Sequence, residues 1–190
     1  MAKLYFRYGA MNSGKSTALL QAAYNYEERG QAVLLAKPAT DSKGGETIVS
    51  RLGVTREVDL IVASHENLRT VFATAMELRR AKGLSEISCL LLDEAQFFTR
   101  DQIDQAFEIA VLDGVPVLAY GIRTDFLTNG FPGSIRLLEL AHSLEELKTI
   151  CRCGRKAIFN GRKVDGRFVF EGEQVAKGRY ADIEIGRAHV

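Results

Sequence analysis

Eight residues near the N-terminus could hold a phosphate chain. From Gly9 to Ser16 the sequence is Gly-Ala-Met-Asn-Ser-Gly-Lys-Ser, which fits the nucleotide-binding pattern G-x-x-x-x-G-K-[ST]. In such a loop backbone N–H groups surround phosphate oxygens, the lysine reaches the β- and γ-phosphates, and the final hydroxyl ligates Mg²⁺. The pattern therefore predicts a nucleoside triphosphate site formed by Gly9, Ala10, Met11, Asn12, Ser13, Gly14, Lys15 and Ser16.

Two carboxylates follow a nearly continuous apolar run at 87–92. Such a run is typical of a central parallel strand, and ligands of open α/β sheets bind beyond the carboxyl ends of the strands. Asp93 therefore takes the place of an aspartate that holds Mg²⁺ beside ATP. Its neighbour Glu94 is the candidate general base.

A base beside the γ-phosphate could activate water, as in an ATP hydrolase, or a substrate hydroxyl, as in a kinase. The residues that follow favour the kinase, because Gln96 offers an amide near the nucleotide and Phe97 and Phe98 are aromatic. An aromatic face near the acceptor suits stacking on a planar ring such as a nucleobase. We expect one of the two phenylalanines to belong to the core instead.

The elements around the loop are those that a phosphate site requires. Residues 4–8 are strand-like, residues 16–29 show helical spacing of apolar side chains, and Gly30 is a candidate cap before a strand at 32–36. Alternation continues with strands at 60–62, 87–92 and 115–120 and helices at 66–80 and 99–112, the last opened by a Thr99–Gln102 capping box. This order predicts an α/β fold of the P-loop, RecA-like type, with a parallel sheet flanked by helices.

Composition limits the partners. The chain has 190 residues with a net charge of +1, which gives no electrostatic reason to expect nucleic acid or an anionic membrane as the partner. The sequence contains no run of about 18 apolar residues, so no membrane span is predicted. The N-terminal residues do not resemble a signal peptide. Three cysteines do not make a disulfide framework, so we expect a reducing, cytoplasmic setting.

Motifs along nearly the whole chain resemble the thymidine kinases of the type II, cytosolic-type family, in their bacterial form. The resemblance rests on the phosphate loop with Met11, on Lys37-Pro38 and on Asp93-Glu94-Ala95-Gln96-Phe97-Phe98. It continues through residues 120–126, 131–134, 147–156 and 172–175. It implies transfer of the γ-phosphate of ATP, with Mg²⁺, to the 5′-hydroxyl of thymidine or deoxyuridine, by a protein that is typically a homotetramer.

The same resemblance implies roles for individual residues. Glu94 matches the base of the family, Phe97 and Phe126 match aromatics that line the thymine pocket, and Ile122 matches its apolar wall. Asp41, Ser42 and Lys43 match a loop on the phosphate side of ATP. The implied loop that binds the base largely through backbone groups contains Gln174, Val175, Ala176, Lys177 and Gly178, and Tyr180 follows it.

The pattern changes after residue 146, which predicts a kinase domain at 1–146 and a small C-terminal subdomain at 147–190. Short strands with a hairpin turn at Asp165-Gly166 are expected there. Cys151 and Cys153 could supply half of a zinc-ribbon-like site, and the family resemblance places His189 near the fourth ligand position. Because Gly186 stands where that family has a cysteine, the alternative is a pair of reduced cysteines without metal.

Two other functions stay open at this point. A RecA-like ATP hydrolase would explain the phosphate loop and the acidic pair, but not the motifs after residue 120. A non-catalytic ATP-binding module is the second alternative, since the segment between Val175 and Tyr180 is shorter than in the family and could impair the acceptor site. A GTPase is disfavoured because the sequence lacks an Asn-Lys-x-Asp motif.

Overall fold

A six-stranded parallel sheet forms the centre of the computed structural model, which describes residues 1–39, 47–50, 53–151, 154–164 and 167–172. The strands are β1 (Leu4–Tyr8), β2 (Ala32–Pro38), β3 (Thr47–Val49), β4 (Thr55–Glu57), β5 (Leu60–Val62), β6 (Ile87–Leu92), β7 (Val117–Gly121), β8 (Ser143–Glu146), β9 (Thr149–Ile150), β10 (Lys156–Ala157), β11 (Arg162–Val164) and β12 (Arg167–Val169). The helices are α1 (Lys15–Glu27), α2 (Leu68–Ala81), α3 (Arg100–Val111) and α4 (Pro132–Leu140), with a 3-10 helix at Ala95–Phe97.

The strand order in the main sheet is β5-β2-β6-β7-β1-β8, and every pairing in it is parallel. The carboxyl ends of β1 and β6 therefore open at the same edge, with β7 between them. The phosphate loop follows β1 and the acidic pair follows β6, so the topology places the two predicted motifs side by side. The predicted α/β fold with a parallel sheet is confirmed.

Both faces of the sheet are covered by helices, as the apolar run in β6 predicted. On one face α1 packs through Leu19, Leu20 and Ala23 against the strand side chains Val33, Leu35, Cys89, Leu91, Leu118 and Tyr120. On the other face α2, α3 and α4 pack against the alternate strand side chains, which include Leu4, Phe6, Leu34, Leu90, Leu92 and Ala119. No helix of the described residues is both long and apolar enough to cross a membrane.

The helix boundaries follow local capping. The Asn67 side chain accepts a hydrogen bond from the Thr70 N–H at 2.9 Å, so α2 begins two residues later than the apolar spacing predicted. The predicted capping box of α3 is confirmed, because Thr99 and Gln102 each accept from the other's backbone N–H. Gly30, the predicted cap after α1, has a left-handed φ of 70°.

Sequence reasoning missed α4 and β8. Helix α4 begins at Pro132, a residue suited to the first turn because its missing N–H is not needed there. Gly133 lets this helix approach the 3-10 helix, since a Cβ atom there would lie 2.6 Å from the carbonyl oxygens of Ala95 and Phe98. β8 is an edge strand with mostly exposed side chains, so it lacks the apolar pattern of a buried strand.

Two small antiparallel pairs follow the main sheet. β9 pairs with β10, and β11 pairs with β12. The strands on both sides of the predicted Asp165-Gly166 turn are thus present, although those two residues lie outside the described residues.

Candidate active site

The phosphate loop joins the end of β1 to the start of α1. Asn12 and Gly14 have left-handed φ angles of 65° and 81°, and the Ser13 N–H donates to the Ala10 carbonyl at 3.2 Å. Among the described residues no side chain caps α1, so the N–H groups of its first turn have no side-chain acceptor at the N-cap. A helix N-terminus of this kind favours an anion.

Glycine is required at two positions of the loop for different structural reasons. Gly14 adopts a φ that costs other L-residues conformational energy. Gly9 is crowded instead, since a Cβ atom there would lie 2.5 Å from the Leu147 carbonyl oxygen and would also meet the Ser13 side chain. The first glycine of the motif therefore permits a close approach of the chain after β8 to the loop.

Lys15 folds its side chain back over the loop. Its Nζ atom donates to the carbonyl oxygens of Ala10 at 2.9 Å and Gly9 at 3.2 Å. Burial lowers the pKa of Lys15 to about 8, and the negative charges of Glu94 and Asp93 oppose that shift. The lysine of one predicted motif thus lies within electrostatic range of both carboxylates of the other.

A triphosphate with a divalent cation fits the residues that line this loop. The Ser13 Oγ atom is buried without a hydrogen-bond partner in the described structure, and a buried polar atom of this kind is costly unless a ligand or water satisfies it. Among the described residues the hydrogen bonds of the Lys15 ammonium go to two neutral carbonyls, and phosphate oxygens would be better partners for it. Ser16 and Asp93 supply the hydroxyl and carboxylate oxygens that Mg²⁺ prefers.

Glu94 stands in an unusual backbone conformation. Its φ and ψ are 47° and 43°, a left-handed geometry that non-glycine residues adopt at an energetic cost and that clusters at functional sites. The preceding residue, Asp93, is buried, and its N–H continues the sheet by donating to the Ala36 carbonyl at 3.0 Å. The sharp turn after Asp93 directs the backbone of Glu94 out of the sheet and into the 3-10 helix.

Gln96 connects the two sides of the site. Its amide nitrogen donates to the Glu94 carboxylate, and its amide oxygen accepts from the Ile122 N–H at 3.1 Å. The side chain is only 2% exposed. Gly121 makes room for it, because a Cβ atom there would lie 2.7 Å from the Gln96 amide oxygen.

Of the aromatic residues near the site, one is buried in the core and two are partly exposed. Phe98 is buried in the core, which confirms that one phenylalanine of the pair has a packing role. Phe97 is only partly buried and meets Phe131 edge to face, with ring centroids 5.5 Å apart. Phe126 is also partly buried, and the guanidinium of Arg162 stacks on its ring at 3.8 Å from the centroid.

The segment after β7 is held by buried polar groups. Ser134 donates to the Ile122 carbonyl at 2.6 Å. The Asp125 carboxylate accepts from the N–H groups of Leu127 and Asn129, both at 2.8 Å. These bonds close a turn that positions the segment of Ile122 and Phe126 next to Gln96.

Several predicted site residues lie outside the described residues. They are Asp41, Ser42 and Lys43 on the phosphate side, Gln174, Val175, Ala176, Lys177, Gly178 and Tyr180 on the base side, and the zinc candidates Cys153 and His189. The third zinc candidate, Cys151, is buried and packs in an apolar cluster with Ala10 and Ala157. The described residues contain no group of three or more potential metal ligands, and the predicted donor set is one short of a closed tetrahedral zinc site.

The chain is similar to known proteins over nearly its whole length. The family model described as thymidine kinase matches residues 2–182. The chain belongs to the thymidine kinase family. It is 48% identical over 180 residues to a thymidine kinase of Idiomarina loihiensis, covering 94% of this chain and 90% of that protein. Family membership confirms the resemblance seen in the motifs and the interpretation of the chain as an enzyme.

Two further relatives are also thymidine kinases. A thymidine kinase of Legionella pneumophila (strain Paris) is 52% identical over 180 residues, which cover 94% of this chain and 83% of that protein. A thymidine kinase of Enterobacteria phage T4 is 41% identical over 191 residues, covering 100% of this chain and 95% of that protein. Similarity to the family thus covers the phosphate loop, the acidic pair and the predicted acceptor residues Phe97, Ile122 and Phe126.

The sequence did not indicate the roles of three residues that shape this candidate site. Asp125 closes the turn after β7, Arg162 covers Phe126, and Asn160 is buried between the phosphate loop and that turn. Asp125 and Phe126 lie within residues 120–126, one of the stretches that resemble the family. The sequence therefore indicated the position of Asp125 but not its role. Asn160 and Arg162 had no local signal, because their partners are distant in the sequence.

Proposed function

We propose that the protein transfers the γ-phosphate of ATP to the 5′-hydroxyl of thymidine, with deoxyuridine as a second acceptor, in nucleotide salvage. One observation supports the proposal in addition to family membership. Lys15 and Glu94, from separate motifs, lie within electrostatic range of each other at the carboxyl edge of one sheet. This proximity supports one shared reaction site for a phosphate-binding cation and a candidate base.

Glu94 would act as the general base. Its carboxylate would accept the proton of the 5′-hydroxyl while the hydroxyl oxygen bonds to the γ-phosphorus and the bond to the ADP oxygen breaks. The left-handed backbone of Glu94 and the hydrogen bond from Gln96 fix where the carboxylate lies. Gln96, predicted from the sequence to contact ATP, would on these contacts also orient the base.

Lys15 and the loop N–H groups would hold the phosphates. In phosphoryl transfer the protein mainly positions groups and neutralises charge. Lys15 donates to the carbonyl oxygens of Gly9 and Ala10, and it can exchange them for phosphate oxygens. Ser16 and Asp93 would hold Mg²⁺. When bound, the ion neutralises the phosphate charge that develops during transfer.

The acceptor side would be formed by Phe97, Ile122 and Phe126. The exposed parts of these side chains suit an apolar, planar base, and a pocket of this kind discriminates a methyl group by only about 1–3 kcal/mol. Thymidine and deoxyuridine should therefore both be accepted. The resemblance supports further contacts from Gln174, Val175, Ala176, Lys177, Gly178 and Tyr180 on the base side and from Asp41, Ser42 and Lys43 on the phosphate side.

The remaining expectations belong to the same proposal. The enzyme would act in the cytoplasm as a homotetramer and divide into a kinase domain at 1–146 and a smaller unit at 147–190. Support for the division comes from β8, which ends the main sheet at Glu146. A zinc ion on Cys151, Cys153 and His189 would need a fourth donor, and metal analysis of the purified protein decides it: less than about a tenth of an equivalent excludes it.

The experiment that tests the function measures two products together. Protein, Mg-ATP and a panel of nucleosides are incubated, and ADP and nucleoside monophosphate are quantified in the same samples. Equal amounts of ADP and monophosphate with thymidine and deoxyuridine, and neither product with purine nucleosides, are expected. ADP without monophosphate would instead identify an ATP hydrolase.

A further inference from the structure

Asn160 lies between the phosphate loop and the acceptor-side turn. Its Oδ1 atom accepts a hydrogen bond from the Met11 N–H at 2.7 Å, and its Nδ2 atom donates to the Thr124 carbonyl at 3.2 Å. One partner is a backbone donor and the other a backbone acceptor, so the orientation of the amide is fixed by its neighbours. The side chain is 7% exposed.

The two partners belong to opposite halves of the proposed site. Met11 lies in the phosphate loop, whereas Thr124 lies between Ile122 and Phe126 on the acceptor side. Asn160 itself comes from the small C-terminal unit, 149 residues from Met11 and 36 from Thr124. A single side chain thus joins three segments that the sequence keeps far apart.

Neighbouring contacts hold Asn160 in this position. Ala157, three residues earlier, packs with Ala10 of the phosphate loop. The ring of Phe159 lies 5.2 Å from the Arg123 guanidinium, which is also 6.0 Å from the ring of Tyr8 at the end of β1. Such cation–π contacts are favourable at these distances. The same three segments are therefore in contact through apolar, cation–π and hydrogen-bonding groups.

The hydrogen bonds of Asn160 are sensitive to the position of both loops. A buried amide that loses either partner leaves a polar group unsatisfied, which costs more than the bond itself contributes. A shift of Met11 on nucleotide binding would therefore favour a matching shift of Thr124. The amide acts as a rigid connection because its two bonds extend from one planar group.

We propose that Asn160 is a positioning residue that couples the phosphate loop to the acceptor-side turn at residues 122–131. Nucleotide bound at the loop stabilises the turn through this side chain, before any acceptor arrives. The consequence for catalysis rests on the proposed function. The coupling itself does not, because it concerns two segments of the protein and one nucleotide.

Amide hydrogen exchange measures this coupling directly. The probe is a non-hydrolysable ATP analogue with Mg²⁺ at saturation, and the readout is exchange in peptides that cover residues 122–131. In the unsubstituted protein we expect the analogue to slow exchange in this turn at least fivefold. In Asn160→Leu, which keeps the side-chain size and loses both hydrogen bonds, we expect less than a twofold change at saturation.

Two further variants test the role of the hydrogen bond to Thr124 and the effect of the substitution itself. Asn160→Asp keeps an acceptor for the Met11 N–H but has no donor for the Thr124 carbonyl, so it should lose the coupling as Asn160→Leu does. Asn25→Leu, the same substitution at an exposed position of α1, should behave as the unsubstituted protein. Equal slowing of exchange in Asn160→Leu, in Asn160→Asp and in the unsubstituted protein would overturn the proposal.

Kinetics separate this proposal from the proposed function. If the protein makes thymidine monophosphate, Asn160→Leu should lower kcat about tenfold and change the KM for ATP less than threefold, since the loops are misplaced relative to each other. An unchanged kcat would contradict the positioning role. If no monophosphate forms with any variant, the proposed function fails, and the exchange measurement still decides the coupling.

Discussion

The side-chain amide of Gln96 donates a hydrogen bond to the carboxylate of Glu94, while its oxygen accepts from the Ile122 N–H. The candidate base is therefore fixed relative to the candidate acceptor wall by one buried side chain. This relationship predicts that Gln96 acts through Glu94. Gln96→Leu should lower kcat about tenfold or more, because the carboxylate loses its orientation.

A double-mutant cycle tests that prediction. In a Glu94→Gln background, Gln96→Leu should change kcat less than threefold, since there is no base left to orient. Gln21→Leu, at an exposed position of α1, is the matched control and should leave kcat unchanged. Additive losses from Gln96 and Glu94 would contradict the prediction.

The lowered pKa of Lys15, about 8, predicts proton uptake when ATP binds. Phosphate oxygens favour the charged ammonium and raise the pKa, so binding at pH 8 should take up about half a proton per site. Affinity for ATP should be full below pH 8 and should fall as the pH rises above it. Calorimetry at pH 8 in two buffers of different ionisation enthalpy measures the uptake. Lys15→Arg, which stays charged, should show none, and equal uptake in this variant would contradict the assignment.

The close packing of Gly133 against the 3-10 helix predicts that a larger residue there lowers both stability and kcat. A Cβ atom would meet two backbone carbonyl oxygens of the segment that carries Gln96, so Gly133→Ala should reduce the free energy of unfolding by about 2 kcal/mol and should also lower kcat. Gly83 has open space around it but a φ of 67°. Gly83→Ala should therefore cost about 1 kcal/mol and leave kcat unchanged. Urea denaturation and steady-state kinetics compare the two, and an unchanged kcat in Gly133→Ala would be the contrary result.

Burial raises the pKa of the Cys89 thiol to about 12 from an ordinary value of 9.0. As the pH rises, the thiol loses its proton in the unfolded chain before it does so in the folded protein. The contribution of the neutral thiol to the free energy of unfolding is therefore complete below pH 9 and is lost as the pH rises towards 12. At pH 10.5 the loss relative to pH 8 should be about 2 kcal/mol. Cys89→Ala should show a correspondingly smaller fall in the free energy of unfolding. Parallel pH profiles for the two proteins would refute the prediction.

Much of the fold could be predicted because its signals are local. β1 and β6 matched the predicted bounds, since each is an apolar or aromatic run that ends at chemically distinct residues. The phosphate loop and the acidic pair were also evident from residue types and spacing. Their proximity followed from a rule about the ends of parallel strands.

Other parts of the site depend on contacts that the sequence does not display. Asn160 acts through backbone groups 149 and 36 residues away, and no periodicity or motif encodes such a pair. The role of Gln96 likewise requires knowledge that β7 ends beside the 3-10 helix. Helix α4 was missed because its buried face is formed largely by small residues such as Gly133 and Ser134, which weaken the apolar pattern.

The most direct test of the central claim is a single-turnover measurement of phosphate transfer from ATP to thymidine by the unsubstituted protein and by Glu94→Gln. With Glu94 as the base, Glu94→Gln should form thymidine monophosphate about 10²- to 10⁴-fold more slowly, while both substrates bind within threefold of their original affinity. Glu77→Gln, at an exposed position of α2, should react at the original rate. Monophosphate formed equally fast by Glu94→Gln would contradict the account.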